Sequence, residues 1–340
     1  MTFDFHSRLN QPFNIGSKTV AGRVCLAPMA RLGNLAFREL VSSFGGYGLL
    51  FTEMCSAKTV AQGGGPLWTG FRWRNEELPE TVCQIFGNDP DIMARAAGRI
   101  EATGFFGVDI NFGCSVKSLC RQNCGAALLK QPRLAADIVS SVRHAVSCPV
   151  SVKFRTGWQD DIQATMELAR RFEDSGADAL TFHPRVAPDR RTRLPKWEYI
   201  EDVKAAVNIP VVGNGNVFDA QDCRKMMETT GCDAVAVGRL AVAQPWVFSQ
   251  WSNGFRPTPQ TFLDSALRLL NLLFNYYNPE IAMRRFKEFS LYFAANFRFG
   301  HTLYRQIRSQ DTPDAAEEVL NRFFDASPER VSRPNLCMFK

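Results

Sequence analysis

The chain has 340 residues, of which 45% are hydrophobic and 22% charged, a composition typical of a globular protein with one large core. The net charge of +6 is too small to indicate nucleic-acid binding by itself, and no apolar run approaches the ~18 residues of a membrane span. Because the first ten residues lack the pattern of a signal peptide and the ten cysteines lack disulfide-domain spacing, we expect a cytoplasmic protein with reduced thiols.

Short apolar runs alternate with amphipathic segments from Val24 onward. Nearly continuous hydrophobicity within a short run is what a strand buried on both faces requires. The predicted strands are 23–29, 48–54, 81–87, 108–113, 150–157, 179–184, 209–215 and 234–239, and the predicted helices between them are 34–43, 91–103, 134–146, 161–175, 197–206 and 220–229. This alternation predicts an α/β protein, a (β/α)8 TIM barrel, rather than an open doubly wound sheet, since no Gly-x-Gly-x-x-Gly follows the first strand.

Segments of different character flank the predicted barrel. Residues 12–22 predict a small β-hairpin that plugs the amino-terminal mouth of the barrel. After about residue 257 we predict helices only, at 262–277, 281–299 and 315–324, with another helix beginning earlier near Gly125. We therefore expect a barrel domain over residues 1–250 and a C-terminal helical domain over residues 257–340.

Polar residues stand at the carboxyl end of nearly every predicted strand. In a barrel these ends meet and form the active site. Polar groups on otherwise apolar strands are costly to bury without a partner, so their number indicates a polar ligand across the mouth. The residues that we expect to bind it are Ala27, Pro28, Met29, Gln84, Asn111, Lys153, His183, Asn214, Gly215, Asn216, Gly238 and Arg239, with Cys114 and Arg155 beside them.

This set of residues suits flavin mononucleotide (FMN). The glycine-containing ends of strands seven and eight occupy the usual phosphate site of a barrel, and Arg239 adds positive charge. Lys153 can place its ammonium against the N1/O2 edge of the flavin, where negative charge collects on reduction. The amides of Gln84 and Asn111 can donate to and accept from the other ring heteroatoms.

With these strand ends identified, the chain resembles the tRNA-dihydrouridine synthases, especially the bacterial B type. The matching motifs span residues 13–250 and are APMA at Ala27, FREL at Phe37, TEM at Thr52, Q-x-x-G at Gln84, DIN-x-GC at Asp109, GAALL at Gly125, VKFRTGW at Val152, H-x-R at His183, GNGN at Gly213 and VGR at Val237. The cysteine loop followed eleven residues later by Gly-Ala-x-Leu-Leu is the most specific of them.

The resemblance implies an activity. Reduced FMN would donate hydride to C6 of a uracil in tRNA, Cys114 would protonate C5, and NADPH would re-reduce the flavin. A thiol suits the acid role because its unperturbed pKa of ~8.5 leaves it protonated near neutral pH. The resemblance also implies that Lys153 and His183 hold the flavin and the substrate edge, and that the helical domain grips the tRNA. We expect a monomer, with no membrane and no protein partner.

Two basic clusters suit the phosphates of an RNA. One is a predicted loop with Arg185, Arg190, Arg191, Arg193 and Lys196, and the other is the C-terminal group Arg284, Arg285, Lys287, Arg298, Arg305 and Arg308. From these, and from the VKFRTGW motif, we expect Arg155, Arg185, Arg285 and Lys287 to contact the RNA substrate.

The chain departs from the family pattern near the expected substrate pocket. Ser115 replaces a proline and leaves the cysteine loop freer, Pro184 replaces a glycine, and Arg31 stands where a glycine is common. These changes suggest an altered choice of RNA or uridine. They also leave open a barrel that binds RNA without catalysis. A flavin reductase acting on a small pyrimidine or an enone is the other alternative.

The cysteines leave one further alternative. Cys114, Cys120 and Cys124, with Cys83 or Cys55, could ligate an iron–sulfur cluster. Their spacing matches no standard cluster run, and we predict no metal.

Overall fold

The computed structural model describes residues 4–63, 70–189 and 193–339. The strands are β1 (Phe13–Ile15), β2 (Lys18–Val20), β3 (Val24–Leu26), β4 (Leu50–Phe51), β5 (Cys55–Ser56), β6 (Thr81–Phe86), β7 (Gly107–Phe112), β8 (Val150–Gly157), β9 (Ala179–Val186), β10 (Val211–Asn214) and β11 (Ala234–Val237). The helices of the barrel region are α1 (Phe5–Leu9), α2 (Leu35–Phe44), α3 (Ala57–Ala61), α4 (Pro90–Thr103), α5 (Lys117–Arg121), α6 (Pro132–Ala145), α7 (Ile162–Asp174), α8 (Glu198–Ala206), α9 (Ala220–Thr230), α10 (Arg239–Ala243) and α11 (Val247–Ser252), with 3₁₀ turns at Asn75–Glu80 and Gly125–Lys130.

The parallel strands form one sheet in the order β3-β11-β10-β9-β8-β7-β6-β4, and β5 pairs with the end of β6. The two ends of this order meet, because Cys25 on β3 forms a parallel bridge with Leu49 and the Leu26 N–H donates to the Leu49 carbonyl at 2.9 Å. The predicted (β/α)8 barrel is therefore confirmed. The second predicted strand is shorter than expected and is broken between β4 and β5.

The antiparallel hairpin β1–β2 closes the amino-terminal end of the barrel. Ile15 and Val20 are buried in a cluster with Leu49, Phe51 and Phe106, which belong to the strands and their amino-terminal approaches. The apolar faces of both hairpin strands thus fill the bottom of the barrel, as the sequence predicts. Among the described residues, this packing covers the amino-terminal end and leaves the carboxyl-terminal mouth open to a ligand.

Helix termini follow local capping rules. Asn34 accepts a hydrogen bond from the Phe37 N–H at 3.2 Å and begins α2, and Asp161 accepts one from Ala164 at 3.1 Å and begins α7. The segment after Gly125 is a 3₁₀ turn, and α6 begins at Pro132, a residue suited to the first turn of a helix.

The C-terminal region is helical, as predicted. It contains α12 (Pro259–Tyr276), α13 (Pro279–Phe293), α14 (Gly300–Arg308) and α15 (Pro313–Asp325), with 3₁₀ turns at Ala294–Asn296 and Leu336–Phe339. The predicted helix 281–299 is corrected: α13 ends at Phe293, and α14 was not predicted. Trp246, fully buried before α11, packs edge-on against Phe262 of α12 at 4.5 Å between ring centroids. None of the helices in the described segments is long and apolar enough to cross a membrane.

Candidate active site at the barrel mouth

A cavity of about 270 Å³ opens at the carboxyl ends of β3 and of β8 to β11. Most of the predicted ligand-binding residues line it together: Ala27, Pro28, Met29, Lys153, Arg155, His183, Arg185, Asn214, Gly215, Asn216, Gly238 and Arg239. The cavity therefore joins residues that are more than 200 positions apart in the sequence into one site.

The loop after β10 forms one wall of this cavity. Gly215 has a φ of +122°, and a Cβ at this position would lie 2.7 Å from Cδ2 of His183. Only glycine lets the imidazole and the loop approach so closely. The next side chain, Asn216, accepts hydrogen bonds from Arg185 at 3.0 Å and from Arg239 at 2.8 Å. One amide oxygen thus holds two guanidinium groups at the cavity wall.

The prediction that Arg185 lies in a loop was wrong. Arg185 lies on β9, which continues past Pro184 to Val186, and its side chain is buried with its guanidinium on Asn216. Of its predicted loop companions, Arg190 and Arg191 lie outside the described residues.

Burial of basic groups dominates the electrostatics of the cavity. Burial, followed by the charge of Arg155, lowers the pKa of Lys153 to about 8, and Asp109 opposes this shift. Burial also lowers the pKa of Arg155. The pKa of His183 lies well below its usual value because of burial and then the charges of Lys153 and the neighbouring arginines, so the imidazole is neutral at pH 7.

Cys114 follows β7 and is half-buried. Asn111 holds its loop, because the Asn111 Oδ1 accepts the N–H groups of Gly113 at 3.1 Å and of Cys114 at 2.9 Å. The Cys114 carbonyl accepts the Ala126 N–H at 2.8 Å, next to Gly125. Gly125 has a φ of +62°, and a Cβ there would lie 2.6 Å from that carbonyl oxygen. The GAALL motif therefore supports the cysteine loop directly.

Gln84 and Asn111 do not line the mouth cavity. Their side-chain amides are bonded to each other, with the Asn111 Nδ2 donating to the Gln84 Oε1 at 2.8 Å, and Gln84 is only 1% exposed. The Asn111 Nδ2 also contacts the Met54 Sδ at 3.9 Å, so both amides are held by neighbouring side chains. Cys114 is likewise absent from the residues lining this cavity in the described part of the chain.

A second cavity lies between the barrel and the helices α13 and α14. It has a volume of about 980 Å³ and shares Pro28 and Met29 with the mouth cavity. Its basic lining residues are Arg31, Arg284, Lys287 and Arg308, and its acidic ones are Glu280, Glu288 and Asp311. We call it the interhelical cleft.

Arg285 and Lys287, both predicted to contact RNA, differ in their surroundings. Arg285 is 6% exposed, and its guanidinium donates to Glu53 at 2.9 and 3.2 Å and to the Arg31 carbonyl at 2.7 Å. Arg285 thus joins α13 to the barrel, and its contact with RNA stays a prediction. Lys287 lines the interhelical cleft and forms an ion pair with Asp311 at 3.0 Å.

Comparison with known proteins assigns this site to a family. The family described as Dihydrouridine synthase (Dus) matches residues 25–326. The tRNA-dihydrouridine synthase B of Pseudomonas aeruginosa is 33% identical over 327 residues, which cover 91% of this chain and 95% of that protein. The chain belongs to the dihydrouridine synthase family. This membership confirms the predicted family and the prediction of an enzyme.

Other comparisons agree. The tRNA-dihydrouridine synthase B of Pectobacterium carotovorum is 36% identical over 243 residues, covering 70% of this chain and 73% of that protein. Among solved structures, the old yellow enzyme from Trypanosoma cruzi has a TM-score of 0.55 at 13% identity, covering 75% of this chain and 95% of that chain. Morphinone reductase has a TM-score of 0.51 at 17% identity, with 74% and 92% coverage. At these identities the likeness to both structures shows the shared fold.

Two residues of this dihydrouridine synthase family member were missed as site residues. Glu53 anchors Arg285, and its position directly after Thr52 at a strand end could have indicated it. Asp109 is fully buried on β7 and bonds to Gln84 at 2.6 Å. It stands inside the DIN-x-GC motif, where the sequence drew attention to the cysteine instead.

The thiols of the predicted cluster alternative have local partners. The Cys120 thiol donates to the Cys114 carbonyl at 3.7 Å, and the Cys124 thiol donates to the Gln122 carbonyl at 3.4 Å. Among the described residues, no group of three or more His, Cys, Asp or Glu side chains forms a metal-binding arrangement.

Proposed function

We propose that this chain is an FMN- and NADPH-dependent synthase that reduces the C5–C6 bond of a uridine in tRNA. The observation that carries the proposal is the mouth cavity, where Lys153, Arg155 and Arg239 meet two glycine-containing loops one strand away from the Cys114 loop. We further propose residues 1–250 as the catalytic unit and residues 257–340 as the tRNA-binding unit of a cytoplasmic monomer.

The chemistry of the cavity fits FMN. Its described lining contains basic side chains but neither Asp nor Glu. Arg155 Nε is buried without a hydrogen-bond partner, and burial lowers the pKa values of Lys153 and Arg155 by more than the neighbouring acidic groups raise them. A phosphate near Gly215 and Gly238 would supply negative charge where the backbone is open to close approach.

Different residues of the chain would then have different roles in the reaction. The bound flavin would supply the hydride that adds to C6 of the uracil. Cys114 Sγ would give its proton to C5, and Asn111 would hold the backbone on which that thiol stands. Lys153, as an ammonium below pH 8, would stabilise negative charge at the N1/O2 edge of the flavin ring. His183, kept neutral by its basic neighbours, can accept or donate a hydrogen bond without adding charge.

The interhelical cleft is where we expect the RNA to bind. It adjoins the mouth cavity at Pro28 and Met29, and its basic residues Arg284, Lys287 and Arg308 can contact phosphates. A uridine in folded RNA must leave its stack to reach a barrel mouth, so we expect the base to be extruded into the site. Binding should weaken steeply with salt, because phosphate contacts release counterions.

A genetic and chemical experiment tests this function. Dihydrouridine is mapped in tRNA from a strain that lacks the gene and is complemented with the wild-type chain or with Cys114→Ala. We expect the wild type to restore a dihydrouridine site that Cys114→Ala does not restore. Cys120→Ala is the matched control, since its half-buried thiol lies on the following helix α5 and is bonded to the Cys114 carbonyl, and it should restore the site.

The same experiment can refute the proposal. Normal dihydrouridine with Cys114→Ala would remove the acid role from that thiol. No change in any tRNA on deletion, together with purified protein that takes up no FMN, would contradict the proposed reaction itself.

A further inference from the structure

Asp109 lies on β7, and its side chain is fully buried. Its Oδ1 accepts the Ser151 hydroxyl of β8 at 2.6 Å, and its Oδ2 accepts the Gln84 Nε2 of β6 at 2.6 Å. Three neighbouring strands of the barrel are thus joined by one carboxylate. A buried carboxylate is costly unless it is well bonded, so its presence here needs an explanation beyond packing.

The hydrogen bonds continue from Asp109 to the cysteine loop. Gln84 donates to Asp109 and accepts at Oε1 from the Asn111 Nδ2 at 2.8 Å. Asn111 in turn accepts, at Oδ1, the backbone N–H groups of Gly113 and Cys114. We call the path Asp109–Gln84–Asn111–Cys114 the amide chain. In every hydrogen bond of this chain the donor lies on the side of the cysteine loop and the acceptor lies on the side of the carboxylate.

This directionality follows from the two ends of the amide chain. Backbone N–H groups can only donate, so the carbonyl oxygen of Asn111 must face the loop and its NH₂ must face Gln84. An ionised carboxylate can only accept, so the NH₂ of Gln84 must face Asp109. Both ends therefore demand the same orientation of both amides. Bonds aligned in this way polarise one another, and a charged acceptor at the end strengthens them.

We propose that Asp109 is a positioning residue that acts through Gln84 and Asn111 to hold the backbone of Cys114. The loop depends on this support because Ser115 does not restrict its φ as a proline would. A carboxylate at Asp109 keeps both amides oriented, and the oriented Asn111 keeps the thiol aimed at the base. The proposal rests on the proposed function only for the importance of Cys114 in catalysis.

The test measures the reactivity of Cys114 without RNA and without turnover. Purified protein, with the flavin that copurifies, is treated with iodoacetamide, digested with trypsin and analysed by mass spectrometry. Lys117, Arg121 and Lys130 place Cys114, Cys120 and Cys124 in different peptides. The buried Cys83 and Cys148 report global unfolding in the same sample.

The variants are Asp109→Leu, which cannot accept a hydrogen bond, and Asp109→Asn, whose oxygen can still accept from Gln84 while its NH₂ faces Ser151. We expect Asp109→Leu to raise the alkylation rate of Cys114 by about threefold or more through local loosening of the loop, with Cys83 and Cys148 still protected. Asp109→Asn should remain close to the wild type. Ser151→Ala removes the other bond to Asp109 but leaves the amide chain, and should also remain close to the wild type.

Two results would overturn the proposal: an unchanged Cys114 rate in folded Asp109→Leu, or an Asp109→Asn variant as reactive as Asp109→Leu. If Asp109→Leu does not fold, Gln84→Leu breaks the next link and is judged by the same rates. The alkylation result is independent of whether Cys114 is the acid, so failure of this proposal and failure of the proposed function are distinguishable.

Discussion

Buried basic residues occur in this molecule in two settings that differ in their partners. Arg38 is fully buried, and its guanidinium lies 2.6 Å from Glu77. Arg285 is buried against Glu53 in the same way. Burial alone would lower the pKa of both arginines, but their carboxylate partners raise it. At the barrel mouth, Lys153 and Arg155 form no ion pair with a carboxylate of the described residues, and the pKa of each is lowered.

This difference separates structural charges from functional ones. The paired arginines connect α2 and α13 to the barrel and are satisfied within the chain. Burial of Lys153 and Arg155 at the mouth has a cost in desolvation, and a negatively charged ligand would offset it. Among the described residues, Lys153 and Arg155 therefore have no ion-pair partner where we propose the flavin, whereas Arg38 and Arg285 are paired with carboxylates where helices join the barrel.

Breaking a buried arginine–carboxylate pair should have the largest effect on stability. Arg38→Met leaves Glu77 buried without its principal partner, and we expect a loss of about 3–5 kcal/mol in the free energy of unfolding. Urea denaturation of the wild type and the variant measures this. The double variant Arg38→Met/Glu77→Leu removes the stranded charge and should recover part of the loss. A loss below about 1 kcal/mol for Arg38→Met would contradict the structural role of the pair.

Removing an uncompensated charge should instead affect ligand binding. For Lys153→Met we expect the free energy of unfolding of the flavin-free protein at pH 7 to be at least as large as that of the wild type, because a desolvation cost disappears along with the charge. FMN affinity, measured by fluorescence titration, should fall about tenfold or more. Lys204→Met is the control: this lysine pairs with Asp233 away from the mouth and should leave FMN affinity unchanged. Equal affinities for wild type and Lys153→Met would exclude a contact between Lys153 and the flavin.

The pH dependence of stability tests whether burial of the unpaired Lys153 destabilises the fold. The pKa of Lys153 is about 8 in the folded chain against 10.5 for the unperturbed group, so between these values the unfolded chain binds more protons. Stability therefore rises with pH from about 8 to 10.5, and the destabilisation caused by Lys153 is fully present below pH 8. We expect the difference in unfolding free energy between Lys153→Met and the flavin-free wild type to decrease over this range. A difference independent of pH would show that the ammonium is not destabilised by burial.

Much of this arrangement could be predicted from the sequence because it depends on local pattern. Strand β8 has the predicted bounds, since its apolar run and following Gly157 are both visible in the chain. The partners of Arg285 could not be predicted, because Glu53 is 232 positions away and nothing local distinguishes a buried arginine from an exposed one. The predicted helix ran past Phe293, where α13 ends, because no glycine or proline interrupts the sequence between Phe293 and Phe299.

Substitution of Arg31 should have the smallest effect on stability, and it tests whether Arg285 also holds the backbone beside its ion pair with Glu53. Its φ of +65° lies in the left-handed region, which favours glycine. Its carbonyl accepts from Arg285, and its exposed guanidinium pairs with Glu288 at 3.0 Å. The Arg31 carbonyl also accepts from the Asn34 Nδ2 at 3.0 Å. We infer that the Arg285 contact helps to hold the left-handed backbone, while the exposed ion pair contributes little.

Arg31→Gly and Arg31→Ala both remove that ion pair, but only glycine relieves the strain. We therefore expect Arg31→Gly to be more stable than Arg31→Ala by about 1 kcal/mol in urea denaturation. In an Arg285→Met background the carbonyl of residue 31 loses the guanidinium that holds it, so this difference should shrink. An equal difference in both backgrounds would mean that Arg285 does not impose the left-handed conformation. The structural role of Arg285 at this point would then be limited to its ion pair with Glu53.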